Sequence, residues 1–131
     1  MAQLLFQAAT IEIQFDPLND WLYVNWLGNQ TEESVRAGAT KILEYVQQER
    51  TRKVLNDNSY VTGMWGGAAE WIGQELMPAL SAAGLEYAAW VYSPDIYSRL
   101  STDSSLQHVT GGVIVLPFDD VATAGSWLRQ M

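Results

Sequence analysis

From Thr10 to Phe15 apolar and polar residues alternate, the period-two pattern of a half-buried strand. Asp16-Pro17-Leu18-Asn19-Asp20 follows, dense in turn formers. Trp21 to Leu27 is aromatic and β-branched and reads as a second strand, so the two form an antiparallel hairpin. Gly28 ends the hairpin, and Thr31 is placed to cap a helix whose first turn carries Glu32 and Glu33, where the helix dipole favours acids. Val35, Ala39, Ile42 and Val46 recur at helical spacing and predict an amphipathic helix of about five turns that closes on Arg50 and Arg52.

Lys53 to Asp57 reads as a short strand, and Asn58 to Gly67, with Gly63, Gly66 and Gly67, as the least regular part of the chain. A second helix is expected through Ala69, Ile72 and Leu76, kinked or ended by Pro78 about one turn before Gly84. Tyr87 to Tyr92 is nearly all apolar, as in a central strand covered on both faces. Ser93-Pro94-Asp95 opens a third helix, to which Ile96, Tyr97 and Leu100 give an apolar side. A polar stretch from Ser101 to Gly112 leads to a buried strand at Val113–Leu116. Asp119 or Asp120 then caps a final helix carrying Val121, Ala124 and Leu128.

The order β-β-α-β-α-β-α-β-α predicts an α/β fold. Right-handed crossovers would build a mostly parallel, mixed five-stranded sheet with an antiparallel first strand and helices packed on it. Trp21 and Trp26 are an odd number of residues apart and must face opposite sides of their strand, so both sides need cover, from helices or from a second subunit in a homodimer. The absence of linkers, repeats and low-complexity segments makes residues 1–131 a single expected domain.

Composition narrows the function classes. Cysteine is absent, which removes disulfides and thiolate metal sites. Fifteen acidic against seven basic residues give a net charge of −8, a surface that phosphate backbones repel, so nucleic acid is not an expected partner. The start Met1-Ala2-Gln3-Leu4-Leu5-Phe6 has no basic leader, and no apolar run reaches the length of a membrane span. A cytoplasmic location is expected.

Catalysis has few candidates. His108 is the only histidine and falls in a polar loop before Gly111 and Gly112; no Gly-x-Ser-x-Gly elbow is present. Glu70 and Glu75 are five residues apart and point to different sides of their helix, while Asp119 and Asp120 suit capping. Asp57 and Glu70 are the carboxylates that folding could pair. One histidine without cysteine leaves only an all-oxygen metal site, and no calcium-loop pattern offers one, so neither metal nor cofactor is expected. Gly63-Met64-Trp65-Gly66-Gly67 sits at a strand-to-helix turn but lacks the Gly-Lys-Ser/Thr ending of a phosphate loop. Ligands of open α/β sheets bind beyond the carboxyl ends of parallel strands. Asp57, Asn58, Ser59, Tyr60, Thr62, Met64, Trp65 and Trp71 fall there and are the candidate partner- or ligand-binding residues.

Four stretches carry a resemblance to a known family: Val54-Leu55-Asn56-Asp57; Gly63-Met64-Trp65 leading into Glu70-Trp71-Ile72; Pro78 to Leu85 before a strand; and Phe118-Asp119-Asp120 through Trp127-Leu128. Together with the element order they resemble the STAS superfamily of anti-sigma-factor antagonists, in the sporulation-antagonist-like branch related to lipid-transfer folds. The resemblance implies a non-catalytic regulatory domain with a protein partner, switched by a serine near the start of the second helix. Here that place is held by Trp65, Gly66 and Gly67, which cannot accept phosphate, and Ser59 and Thr62 fall too early. A protein-interaction module whose partner docks on the loop from Asp57 to Gly67 and on the second helix is therefore expected. The alternative is a binder of small apolar molecules or lipid in a pocket of Met64, Trp65, Trp71 and Met77.

Overall fold

A computed structural model describes residues 2–131. Six strands form one sheet whose spatial order is the chain order: β1 (Gln3–Gln7), β2 (Ile11–Asp16), β3 (Trp21–Asn29), β4 (Lys53–Thr62), β5 (Tyr87–Val91) and β6 (Ile114–Phe118). β1, β2 and β3 pair antiparallel, and β3 through β6 pair parallel. The five expected strands are present, though β6 is an exposed edge strand and not the buried one expected, since it pairs only with β5, and β1 is added. Leu5 sits in a register shift between Leu4 and Phe6, so Leu5 and Phe6 both pack on the core and the period-two signal is lost. The Tyr45 hydroxyl donates to the Leu5 carbonyl at 3.1 Å, tying this irregularity to the first helix.

Helix α1 (Glu32–Glu49) starts as expected at Thr31, whose hydroxyl accepts from the Ser34 N–H while Ser34 reciprocates to the Thr31 N–H. The second helical segment, residues 66–82, is continuous but not uniform. A 3₁₀ turn (Gly66–Ala68) and α2 (Ala69–Trp71) lead into a π-turn (Ile72–Leu76) and then α3 (Met77–Ala82). The Met77 N–H reaches back five residues to the Ile72 carbonyl. Pro78 has no N–H and its ring crowds the preceding turn, so the widened turn just before it lets the segment run on. Helix α4 (Ile96–His108) is capped by Asp95, and α5 (Val121–Gln130) by Asp120.

Crossovers that advance strand by strand in one direction place their helices on one side of the sheet. Accordingly α1, residues 66–82 and α4 share one face, over a core of Ile13, Leu22, Val24, Val54, Ala88 and Trp90 with Ile42, Val46, Ile72 and Leu80. Among the described residues the opposite face is covered by α5, where Ala124 and Leu128 lie on Trp21, Leu55, Ala89 and Val91. Trp21 and Trp26 do face opposite sides. Trp26 lies flat against α1 at Gly38, where a Cβ would come within 2.4 Å of the indole.

Candidate functional site

Strand β4 continues to Thr62, five residues past the expected end at Asp57. Its polar residues are turn formers in isolation, but Asn25 to Asn29 of β3 give them a parallel partner. Asn25 pairs with Asp57 and Leu27 with Tyr60, leaving a bulge between. The candidate residues are therefore strand residues, and the pleat divides them between two faces.

Asp57 lies on the α5 side and is 2% exposed. The Tyr23 hydroxyl donates to it at 2.5 Å, the Ser59 N–H at 2.9 Å, and the Ser59 hydroxyl donates as well. Burial, and then donation to Asp57, push the Tyr23 phenol well above its ordinary value. Glu70 is on the other side of the sheet, so the carboxylate pair considered from sequence is not formed. Asp57 is buried against its own donors, an arrangement that fastens β3 to β4. His108 ends α4 and is not part of a loop; its backbone packs against Gly73. Among the described residues no group of three metal-ligating side chains is assembled.

The loop after β4 is bound to α4. Gly63, at φ +81°, donates its N–H to Asp95 at 3.2 Å, and Asp95 also accepts from the N–H groups of Tyr97 and Ser98. These backbone donors, that of Gly63 foremost, hold the Asp95 carboxyl below the ordinary carboxylate range. Trp65 is buried, donating its backbone N–H to Ser101 (3.0 Å) and its indole N–H to Ser98 (3.2 Å). The buried face of α4 is thus made of Ser98, Ser101, Thr102 and Ser105, while its apolar side faces water: Ile96, Tyr97 and Leu100 are 52–66% exposed. Tyr60 and Met64, on the strand and loop that α4 holds, are exposed to the same degree. Helix α4 is inside out relative to an ordinary surface helix.

On the helix side of the sheet, Asn56 and Asn58 border a cavity of about 70 Å³ between β4, β5, α1 and residues 66–82. Of the four residues expected to line an aromatic pocket, Trp65 and Met77 do so; Met64 lies on the surface. Trp71 is half-buried outside the cavity, its ring beneath the Arg36 guanidinium at 5.0 Å. Trp26, Trp90, Asn56 and Leu76 are among the further lining residues and were not expected there from sequence. The cavity is far below the roughly 300 Å³ from which drug-sized ligand pockets begin, so it does not fit a lipid chain. Thr62 is exposed at the end of β4.

No family model and no curated protein matches the sequence. Two solved structures do resemble it. An uncharacterised protein of the DUF3478 family with a SpoIIAA-like fold, from Shewanella loihica, superposes with a TM-score of 0.56 at 18% identity, over 98% of this chain and 95% of its own. SiaC of Pseudomonas aeruginosa gives 0.47 at 13% identity, over 90% of this chain and 99% of its own. Among the described residues no helix is long and apolar enough to cross a membrane. Antiparallel β1–β3, the parallel β3–β6 series with its crossovers, and the whole-length superposition on the Shewanella protein together assign this chain the SpoIIAA-like fold, as the sequence resemblance implied.

Proposed function

We propose that this chain is a non-catalytic regulatory domain that docks a protein partner on the outer face of α4 and the adjoining end of β4. The carrying observation is the reversed polarity of α4: Ile96, Tyr97 and Leu100 stand in water while serines and a threonine face inward. Met64, on the loop that α4 holds, is exposed as well, and Asp95, Asp103 and the Arg99–Asp119 ion pair lie around them. Large exposed apolar surfaces with polar rims mark interaction sites. The net charge of −8 on the chain favours a partner with basic groups. Control by phosphate on a serine at the start of the second helix does not belong to this reading, because Trp65 is buried and Gly66 and Gly67 have no hydroxyl. Asp57, Asn58 and Ser59 act in this reading as supports behind the surface.

The test is cross-linking of the tagged protein in its native cells, identification of the partner, and reconstitution from purified components. A second copy of this chain is among the partners this can find. Tyr97→Glu and Leu100→Glu are expected to weaken the reconstituted complex at least tenfold. Ile114→Lys, on the exposed β6 edge, serves as the control and is expected to leave it unchanged. Equal binding by all three folded variants would refute the docking face. Turnover of any substrate that Asp57→Asn or His108→Ala abolishes would refute the non-catalytic reading.

A further inference from the structure

The cavity beneath residues 66–82 is mostly apolar. Its walls are Trp90, Ile72, Leu80, Met77 and other hydrophobic side chains, and its polar groups are Asn56 and Asn58 on β4 and Gln30, whose amide is spent on the Thr10 and Leu27 carbonyls and on accepting from Ser34. The Asn56 Oδ1 accepts the Trp26 indole N–H at 2.8 Å, and the Asn56 Nδ2 donates to the Asn58 Oδ1 at 3.3 Å. Both oxygens are therefore occupied. Asn58 is 4% exposed, yet among the described residues no protein group accepts from its Nδ2, and one proton of the Asn56 Nδ2 is likewise left over. The sealed side-chain atoms without a partner among the described residues are Asn25 Oδ1 and Thr102 Oγ1; the Asn58 Nδ2 is not one of them and keeps accessible surface at the border of the cavity, where an acceptor can meet it. No cationic or acidic side chain lines the cavity, so a charged occupant would be desolvated without a counter-ion.

We propose that this cavity is a binding site for a small neutral molecule carrying a hydrogen-bond acceptor, a ketone, ester or alcohol of three to five non-hydrogen atoms. Its oxygen accepts from the Asn58 and Asn56 amides and its carbon body lies against Trp90, Ile72 and Met77. The size follows from the volume: an apolar cavity of about 150 Å³ takes a benzene ring, and this one is about half as large. Leu76, half-buried at the end of the π-turn, borders the cavity. Trp65 both lines the cavity and holds Ser98 and Ser101 of α4. A ligand this small binds weakly, with a Kd in the millimolar to high-micromolar range.

The test compares acetone, acetate and xenon, which are respectively a neutral acceptor, an anion of the same size and an apolar atom. Side-chain amide signals of Asn56 and Asn58 and the indole signals of Trp26 and Trp90 are followed by NMR in the full-length ¹⁵N-labelled protein. Acetone is expected to shift all four saturably, with acetate at least tenfold weaker. Asn58→Asp, which replaces donors by acceptors at constant size, is expected to lose the acetone response while keeping that to xenon. Should that variant fail to fold, Ala88→Val fills the cavity from the strand side and is expected to remove both responses. Acetate equal to acetone, an unchanged acetone response in the variant, or no response to any probe (a cavity holding water only) would each overturn the proposal.

Discussion

At Gly73, in the π-turn, a Cβ would lie 2.4 Å from the backbone carbon and oxygen of His108, the last residue of α4. Two effects oppose each other in Gly73→Ala. Alanine gains about 1 kcal/mol over glycine in a helix interior. Against this, no flexible side-chain end can move aside, because the obstacle is main chain, so α4 and residues 66–82 must separate. Overpacking of this kind costs about 1–3 kcal/mol, and more where backbone is displaced. The clash wins where main chain must move, with a net loss of up to about 2 kcal/mol. For 131 residues the unfolding entropy is roughly 0.28 kcal/mol/K, so the melting temperature should fall by up to about 7 °C. Gly66→Ala is the matched control on the same segment, since its Cβ would meet only the Ser101 hydroxyl, at an ordinary 3.5 Å. Thermal and urea unfolding followed by circular dichroism measure both. Should Gly73→Ala melt at or above Gly66→Ala, the close approach of these two segments would not exist as described.

Tyr23→Phe removes one donor from the buried Asp57 and should cost about 1–3 kcal/mol by urea denaturation. The Tyr23 phenol titrates above its ordinary value of 10.0, so its contribution is complete below pH 10 and is lost as the pH rises further. The variant should accordingly show a flatter alkaline limb of stability, and an unchanged limb would count against the Tyr23–Asp57 bond. The Asp95 carboxyl titrates below its ordinary 3.8, so its contribution is present above that pH and lost as the pH falls through the lower folded value. Asp95→Asn should reduce this acid-induced loss, and in wild type amide exchange in the first turn of α4 should speed up there ahead of the core strands. Leu128→Ala, at a fully buried position that fixes α5 to the sheet, should cost about 2–5 kcal/mol, and a loss under 1 kcal/mol would mean α5 is not what covers that face.

Strands β2, β3, β5 and β6 and helices α1 and α5 could be read from the chain because their patterns are local: alternation, a capping threonine, a capping aspartate. The far half of β4 could not. Asn-Asp-Asn-Ser is turn chemistry until β3 pairs with it and Trp26, Tyr23 and Asn58 meet its side chains. The same alternation that identifies a strand divided the candidate residues, sending Asn58 to the cavity and Asp57 to the α5 side, which a reading of that segment as loop cannot foresee. In α4, periodicity exposed an apolar stripe but not its direction, because direction depends on what the other stripe meets. The run of Ser98, Ser101, Thr102 and Ser105 at helical spacing was the available signal, small hydroxyls suited to the close approach of Trp65 and Gly66. The cavity had no signature, since it is a volume left between Trp26, Trp65 and Trp90 that no single segment encodes.

Because the strands lie across the sheet in the order in which they are synthesised, each one leaves the ribosome next to a neighbour that already exists. At roughly 5–20 residues per second, β3 can pair with the completed hairpin before α1 is finished, and β4, β5 and β6 each add to the newest edge. No strand waits for a later one to be inserted beside it, so assembly can proceed as growth at a single front. The α1 side is sheltered as it grows, by each crossover in turn. The other side is not: Trp21, Leu55, Ala89 and Val91 stay open to water until Val121–Gln130 closes over them. The interval between β6 and α5 is then the vulnerable one in the life of the nascent chain, and a chaperone that recognises apolar strand surface would find its opening there.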